Sequence, residues 1–427
     1  MSSLKRILPS YFLLLGFLHA QPTLHLTLAQ AQQQAIQNNP RFAAARYTAA
    51  AAYQVAPQYR AAYAPTVYGA VTGVGADSGS RLAAGALNNP SVYNRAASGL
   101  IVNQMITDFG RTSNLVSMAT LEAQAQDQAT ETTRANVLLA TSQAFFNVLR
   151  AQAVVKVADE TVGARQLVVD QVSAYVASKL KTELDLSFAN VNLSDAKLLQ
   201  VQAHNDVKAA QAQLAAAMGL PNETVFVLEE EPMPTGLVEP EADLIQQAMQ
   251  NRPELKDLRL RENAAERFAK AERDLYYPTV AVVGGAGFAP VGDTAVSSRY
   301  GAIGLNVNIP IFNGGLFHAR ATEAQIRTQA ASQEILDQQN RIVRDVRVAY
   351  LNATTAFEKL GLTRQLLQQA RLALDLAQTR YNLGLGTIVE VTQAQLNVTS
   401  AQIGEASAQY DYQAARVGIQ YQTGVLR

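Results

Sequence analysis

One plan is written twice along this chain. Ala35-Ile36-Gln37-Asn38-Asn39-Pro40 returns as Ala248-Met249-Gln250-Asn251-Arg252-Pro253, and Tyr63-Ala64-Pro65-Thr66-Val67 returns as Tyr276-Tyr277-Pro278-Thr279-Val280. The paired prolines keep one offset of 213 positions, from Pro40 to Pro253 and from Pro65 to Pro278. Later landmarks stand 205 apart: Ala144-Phe145-Phe146-Asn147 answers to Ala349-Tyr350-Leu351-Asn352, and Gly219 to Gly424. The halves, roughly Leu28–Leu220 and Ala242–Val425, therefore differ mainly by an indel between the repeated Pro-Thr-Val and the helix that follows. Solenoid repeats have periods of about 20–50 residues. A unit this long predicts a pseudo-twofold protomer instead of an array.

Composition narrows the function. The 427 residues include no cysteine, which removes disulfides, thiolate metal sites and thiol nucleophiles. The 35 basic and 35 acidic side chains cancel, so the basic stripe of a nucleic-acid binder is missing. The four histidines, His19, His25, His204 and His318, have no ligand spacing, and Gly284-Gly285-Ala286-Gly287 lacks the Lys-Ser/Thr of a phosphate loop. The expectation is a non-enzyme without cofactor or metal. Residues 1–20 read as an export signal: Lys5 and Arg6 precede the apolar run Ile7–Leu18, and Leu18-His19-Ala20 ends on a small residue. That run is too short for a membrane helix, which needs about 20 apolar residues.

Within each half the pattern changes period. The first repeat, 21–220, predicts a short helix, strands at about 65–75 and 95–106, a long helix at 112–176 and a return helix at 186–218. The second, 242–427, predicts a short helix, strands at about 279–288 and 301–312, a long helix at 316–383 and a return helix at 390–424. Between them, 221–241 reads as an equatorial linker broken by Pro221, Pro232, Pro234 and Pro240, with a solvated acidic run at Glu229–Glu231. In the second half Gly301, Ile303, Leu305, Val307, Ile309 and Ile311 alternate with Ala302, Gly304, Asn306 and Asn308. Period two is the mark of a strand, and one face is as apolar as lipid. Ten residues match a tilted membrane-crossing strand. Tyr63, Tyr93, Tyr276, Tyr277 and Tyr300 at the strand ends suit an interfacial aromatic girdle.

The long helices keep heptad time. Val346, Ala353, Leu360, Leu367, Leu374 and Tyr381 form one column, and Val148, Val155, Val162, Val169 and Val176 its first-half counterpart; Arg165 interrupts the companion column of Ala144, Ala151, Ala158 and Val172. Such a pattern predicts knobs-into-holes packing. On its own it also fits a non-pore periplasmic coiled-coil protein, which osmotic shock would release without detergent. The strands favour a pore. Four of them cannot close a barrel, which takes about eight, and an open edge in lipid leaves unpaired backbone groups at several kcal/mol each. Two copies give eight strands and three give twelve; the larger number leaves a water path, which Asn306 and Asn308 would line.

The ordering of short helix, two strands, long helix and return helix in each half resembles the TolC-like outer membrane efflux proteins. Tyr381-Asn382-Leu383-Gly384-Leu385-Gly386-Thr387-Ile388-Val389-Glu390-Val391 is similar to that family's Tyr-x-x-Gly turn and the Thr-Ile-Val-acid-Val after it. The resemblance implies a mainly α fold with a transmembrane β part. It implies a homotrimer with a twelve-stranded barrel in outer membrane lipid and a coiled-coil helical tunnel in the periplasm. A periplasmic adaptor and an inner-membrane pump of the RND, ABC or MFS type would dock at the tips. It places a gate at Asp185, Tyr381, Glu390 and Gln393, with Asp185 bonded to Tyr381. Glu390 takes the main acidic ring position, Gln393 replaces a second acid, and Gly386 replaces an arginine latch for which Lys179 or Lys181 would substitute. Ser178 stands where the first turn usually has glycine. Adaptor contacts fall on Ser178, Lys179, Leu180, Gly384, Leu385, Gly386 and Thr387.

Overall fold

A computed structural model describes residues 24–75, 95–220, 226–234, 236, 239–289 and 297–426. The expected export signal, Tyr93 and most of the segments joining the expected strands of each pair lie outside them. The chain divides into two compact units. One comprises Asn39–Leu139, Gly236–Lys359 and Ala414–Arg427; the other comprises Met1–Asn38, Ala140–Thr235 and Leu360–Gln413.

The first of these units holds the sheet. Strands β2 (Thr66–Val74), β3 (Arg95–Thr107), β5 (Thr279–Phe288) and β6 (Arg299–Asn308) form one antiparallel sheet in the order β2-β3-β5-β6. The halves join through β3 and β5, which leaves β2 and β6 as the two edges. Register defines the faces, because directly paired residues share one. Ile303 pairs with Gly284, which pairs with Val102, which pairs with Val67. This face is apolar, and Ile303, Leu305, Val67 and Leu100 are exposed on it. The other face carries Asn308 opposite Thr279, and the row Thr66, Asn103, Val283.

Two expectations need correcting here. Strand β6 ends at Asn308, not at 312, because Pro310 has no N–H to offer a ladder. Its counterpart 205 positions earlier is Met105, and β3 continues to Thr107 through a bulge after Met105. Tyr300 does not join an interfacial girdle. It lies over Gly99 and Gly287 on the asparagine-bearing face, with its hydroxyl against the space a Cβ would take at either glycine. Tyr276 and Tyr277 do sit at the helix-side end of the sheet, exposed, in ring contact with Phe317 and Phe109 respectively.

Helices α2 (Pro40–Ala52) and α3 (Val55–Arg60) precede the first strand pair, and α6 (Glu241–Asn251) and α7 (Pro253–Arg273) precede the second. The repeated Asn-x-Pro is a break: each proline opens a new helix, where its missing N–H costs nothing. Asn39 caps the first by accepting from the Arg41 N–H at 2.9 Å. At the second, Gly424 takes φ +72°, and a Cβ there would meet the Asn251 carbonyl carbon at 2.9 Å and the Arg252 nitrogen at 3.0 Å. Only glycine lets the backbones approach so closely.

Helices α4 (Arg111–Ala177) and α8 (Leu316–Asn382) are each 67 residues long, which is about 100 Å at 1.5 Å per residue. Their beginnings are also paired by 205 positions. Phe109 and Gly110 take φ of 54° and 115°, and Gly314 and Gly315 take 65° and 84°. In the sheet unit, Leu244, Ala248, Leu255, Ile342, Val346, Ala353 and Ile419 form one core, so the heptad column packs against α6 and the end of α9 (Ile388–Gln422).

In the other unit a short strand β1 (Leu24–Leu26) pairs in parallel with β4 (Phe226–Leu228), next to α1 (Leu28–Asn38) and α5 (Glu183–Met218). β1 carries no legible sequence signal: two leucines flanking one histidine are too few to establish a period. The acidic run is not simply solvated. The Leu28 N–H donates to Glu231 Oε1 at 3.2 Å, Gln413 Nε2 donates to the Glu231 carbonyl at 3.1 Å, and Tyr410 bonds Glu230. The linker is thereby tied to the helices. No helix among the described residues is long and apolar enough to cross a membrane.

Candidate functional site: the paired helical tips

Both helix pairs end in the same turn, again 205 positions apart. At the first, Lys179 takes φ 57°, the Leu180 N–H donates to the Tyr175 carbonyl at 2.8 Å, and the Lys179 N–H donates to the Val176 carbonyl at 2.9 Å. At the second, Gly384 takes φ 74°, Leu385 donates to the Arg380 carbonyl at 2.8 Å, and Gly384 donates to the Tyr381 carbonyl at 3.1 Å. These are Schellman closures with a left-handed residue after the helix. The turn position that usually holds glycine is therefore Lys179, not Ser178. Leu180 and its counterpart Leu385 stand exposed beyond the turns.

Each return helix then opens on Thr-x-x-acid. Thr182 accepts from the Asp185 N–H at 3.3 Å, while Asp185 Oδ2 accepts from the Thr182 N–H at 2.9 Å and the Thr182 hydroxyl at 2.7 Å. This is a capping box. The hydrogen bonds to Thr182 hold the Asp185 carboxyl below the usual carboxylate range, with nearby Lys181 adding to the effect. A lowered folded-state pKa means that the cap is complete at neutral pH and is lost as pH falls through it. Thr182→Ala should cost about 1 kcal/mol, read from the melting temperature.

Asp185 is thus engaged locally, and the expected bond to Tyr381 is not made. Tyr381 is buried among Val172, Ala189, Ile388 and Val391, and its hydroxyl has no partner among the described residues. Burial raises the Tyr381 pKa, and the charge of Asp185 raises it further. What covers the ring is Lys181, whose Nζ lies 3.9 Å from the centroid. Of the two lysines expected to replace the missing latch, Lys181 reaches Tyr381 and Lys179 is used by the turn. Asn192 Nδ2 donates to Thr392 Oγ1 at 2.8 Å and ties the two return helices together.

Glu390 occupies the position equivalent to Asp185. Its N–H donates to Thr387 Oγ1 at 3.3 Å, but its carboxylate turns to Arg380, with Nε at 3.7 Å. Arg380 Nη2 also donates to the Leu385 carbonyl at 3.2 Å. Gly386 makes room for this pair: a Cβ there would sit 3.2 Å from Glu390 Oε2 and 3.2 Å from Arg380 Cβ. Sequence reading missed Arg380, although it directly precedes Tyr381. Gln393, three residues further along α9, donates to Asn397 Oδ1 at 3.1 Å.

The sequence matches the Outer membrane efflux protein family over residues 31–220 and 244–425, and the chain belongs to that family. It is similar to the outer membrane protein TolC of Escherichia coli K12, at 24% identity over 416 residues, covering 93% of this chain and 82% of TolC. In fold it is similar to a membrane protein from Pseudomonas aeruginosa, with a TM-score of 0.81 at 20% identity, covering 93% of this chain and 90% of the other. It is likewise similar to the outer membrane protein VceC of Vibrio cholerae, with a TM-score of 0.78 at 20% identity over 93% of this chain and 96% of VceC. The chain is an outer membrane exit channel for efflux or secretion, with a helical tunnel in the periplasm, and it is not an enzyme.

Proposed function

We propose that three copies of this chain assemble into one passive duct. Each would contribute its four strands to a twelve-stranded barrel and its tips to a periplasmic gate. The observation that carries this is the four-stranded sheet, whose edges β2 and β6 are unpaired among the described residues while one face is apolar and exposed. In lipid those edges require partners, and sister copies supply them. Asn306 and Asn308, joined by Asn103, would then face water. A detergent-extracted trimer by light scattering is the expected result; a water-soluble monomer overturns the reading.

Adaptor docking belongs to the tips. Leu180 and Leu385 offer one apolar side chain each, and Ser178, Lys179, Gly384, Gly386 and Thr387 surround them with small or flexible residues. An inner-membrane pump of the RND, ABC or MFS type would act through the adaptor, and the pump would choose the cargo. The gate rests on the tip contacts. Lys181→Ala with Asp185→Ala removes the cation over Tyr381 and the cap of α5, and should raise single-channel conductance in planar bilayers. Tyr381→Phe alone should leave conductance unchanged, because the hydroxyl it deletes has no hydrogen-bond partner among the described residues. Equal conductance in the double variant and the parent would remove the gate from these residues.

A further inference from the structure

Arg165 is a charge where the fold asks for none. It stands in the α4 column of Ala144, Ala151, Ala158 and Val172, and only 4% of its surface is exposed. The equivalent residue in the second repeat, 205 positions on, is the buried Ala370. Coiled-coil packing is therefore satisfied by a methyl group at this place. Burial pushes the Arg165 guanidinium down to about 10, against the pull of nearby Asp195, so it stays charged at neutral pH. Its Nη1 is buried without a hydrogen-bond partner among the described residues. A buried cation in that state is costly unless something pairs with it.

The guanidinium lines a pocket of about 280 Å³ between α4, α8 and α9. Uncharged hydrogen-bonding groups make most of its polar wall: Thr161, Gln378, Gln395, Thr399 and Gln402. The Thr161 hydroxyl donates to the Val157 carbonyl at 2.7 Å and lies 3.5 Å from the Thr399 hydroxyl. We propose that this pocket is a binding site for a small monovalent anion of the halide class, chloride in practice, with Arg165 as its counter-charge. Glu160 also lines the pocket. Together with Asp195 it disfavours ions of higher negative charge, which argues against phosphate or a polyanionic cargo. At about 30 Å³ per water, the space admits one ion with part of its hydration shell.

The test uses the full mature protein in detergent. Crystals grown in bromide should give an anomalous peak against the Arg165 guanidinium, absent from Arg165→Met. At about 0.15 M salt, replacing chloride by gluconate should lower the parent's melting temperature by about 2–4 °C. Arg165→Met should show no such dependence. Should that variant fail to fold, Thr399→Val keeps the guanidinium, removes one hydroxyl, and should reduce bromide occupancy. Density for water only at Nη1 overturns the proposal. So does a bromide peak without chloride dependence in the melt, which is binding at crystal concentration only. Equal chloride dependence in the parent and Arg165→Met overturns it as well.

Discussion

Arg320→Met is expected to destabilise the protein by about 3–5 kcal/mol, more than replacing the carboxylate that Arg320 holds. Glu272 on α7 is 1% exposed, and Arg320 on α8 clasps it with Nε at 2.6 Å and Nη2 at 3.0 Å. Arg111, at the start of α4, stands 4.0 Å away. The three side chains lock α4, α7 and α8 together beneath the sheet. They are unequal in exposure. The Arg320 and Arg111 side chains are 42% and 31% exposed, and that of Glu272 is 2%. Removing Arg320 deprives a carboxylate that water cannot reach of its hydrogen-bonded partner, leaving Arg111 at 4.0 Å to oppose its charge. Removing Glu272 strands two guanidiniums that water partly solvates, so Glu272→Met should cost about half as much or less. Glu272→Met with Arg320→Met should recover most of the loss, since apolar replacement of a whole buried pair is often neutral. The measurement is the denaturant midpoint of detergent-folded protein across the double-mutant cycle. A Glu272 variant less stable than the Arg320 variant would sink the argument.

This clamp also marks where the sequence stopped being readable. Duplication made the element order plain, because prolines and heptads survive in both copies. Yet Glu272 and Arg320 correspond to Tyr59 and Leu115 in the first repeat, so the interaction exists in one half only. A pattern found by self-comparison cannot reveal what only one copy contains. Arg165 against Ala370 is the same case, visible beforehand only as an interruption. Other misses have different causes. The left-handed residue of the first turn is Lys179, and lysine gives no hint of positive φ, whereas Gly384 at the matching place does. The family resemblance pairs Asp185 with Tyr381, but a carboxylate three residues after a threonine has nearer donors in its own cap, the Thr182 N–H and hydroxyl. The capping signature Thr182-x-x-Asp185 was present in the letters, and local bonds form without any cost of bringing distant segments together. Pro310 similarly announced the end of β6, and the apolar alternation running past it hid the signal.

The tip charges lead to a pair of opposite expectations. In the proposed trimer, three Glu390 side chains would surround the axis, and Arg380 neutralises each from 3.7 Å. Both side chains are about half exposed or more, so the ion pair itself is worth at most about 1 kcal/mol. Its effect on permeating ions is larger, because every substitution acts three times. A divalent cation about 8 Å from three unit charges gains about 3 kcal/mol in water, and about 1 kcal/mol after screening at physiological salt. Glu390→Ala leaves three unopposed arginines and should weaken block by divalent cations from the periplasmic side about five- to tenfold. Arg380→Ala leaves three unopposed glutamates and should strengthen block by a similar factor. Gln393→Glu should add to the second effect if Gln393 lies on the same ring. An entrance whose acidity came from Glu390 alone would lose block with Glu390→Ala and ignore Arg380→Ala. Planar-bilayer titrations with magnesium separate the two cases, and shifts of the same sign in both variants would show that neither side chain faces the ion path.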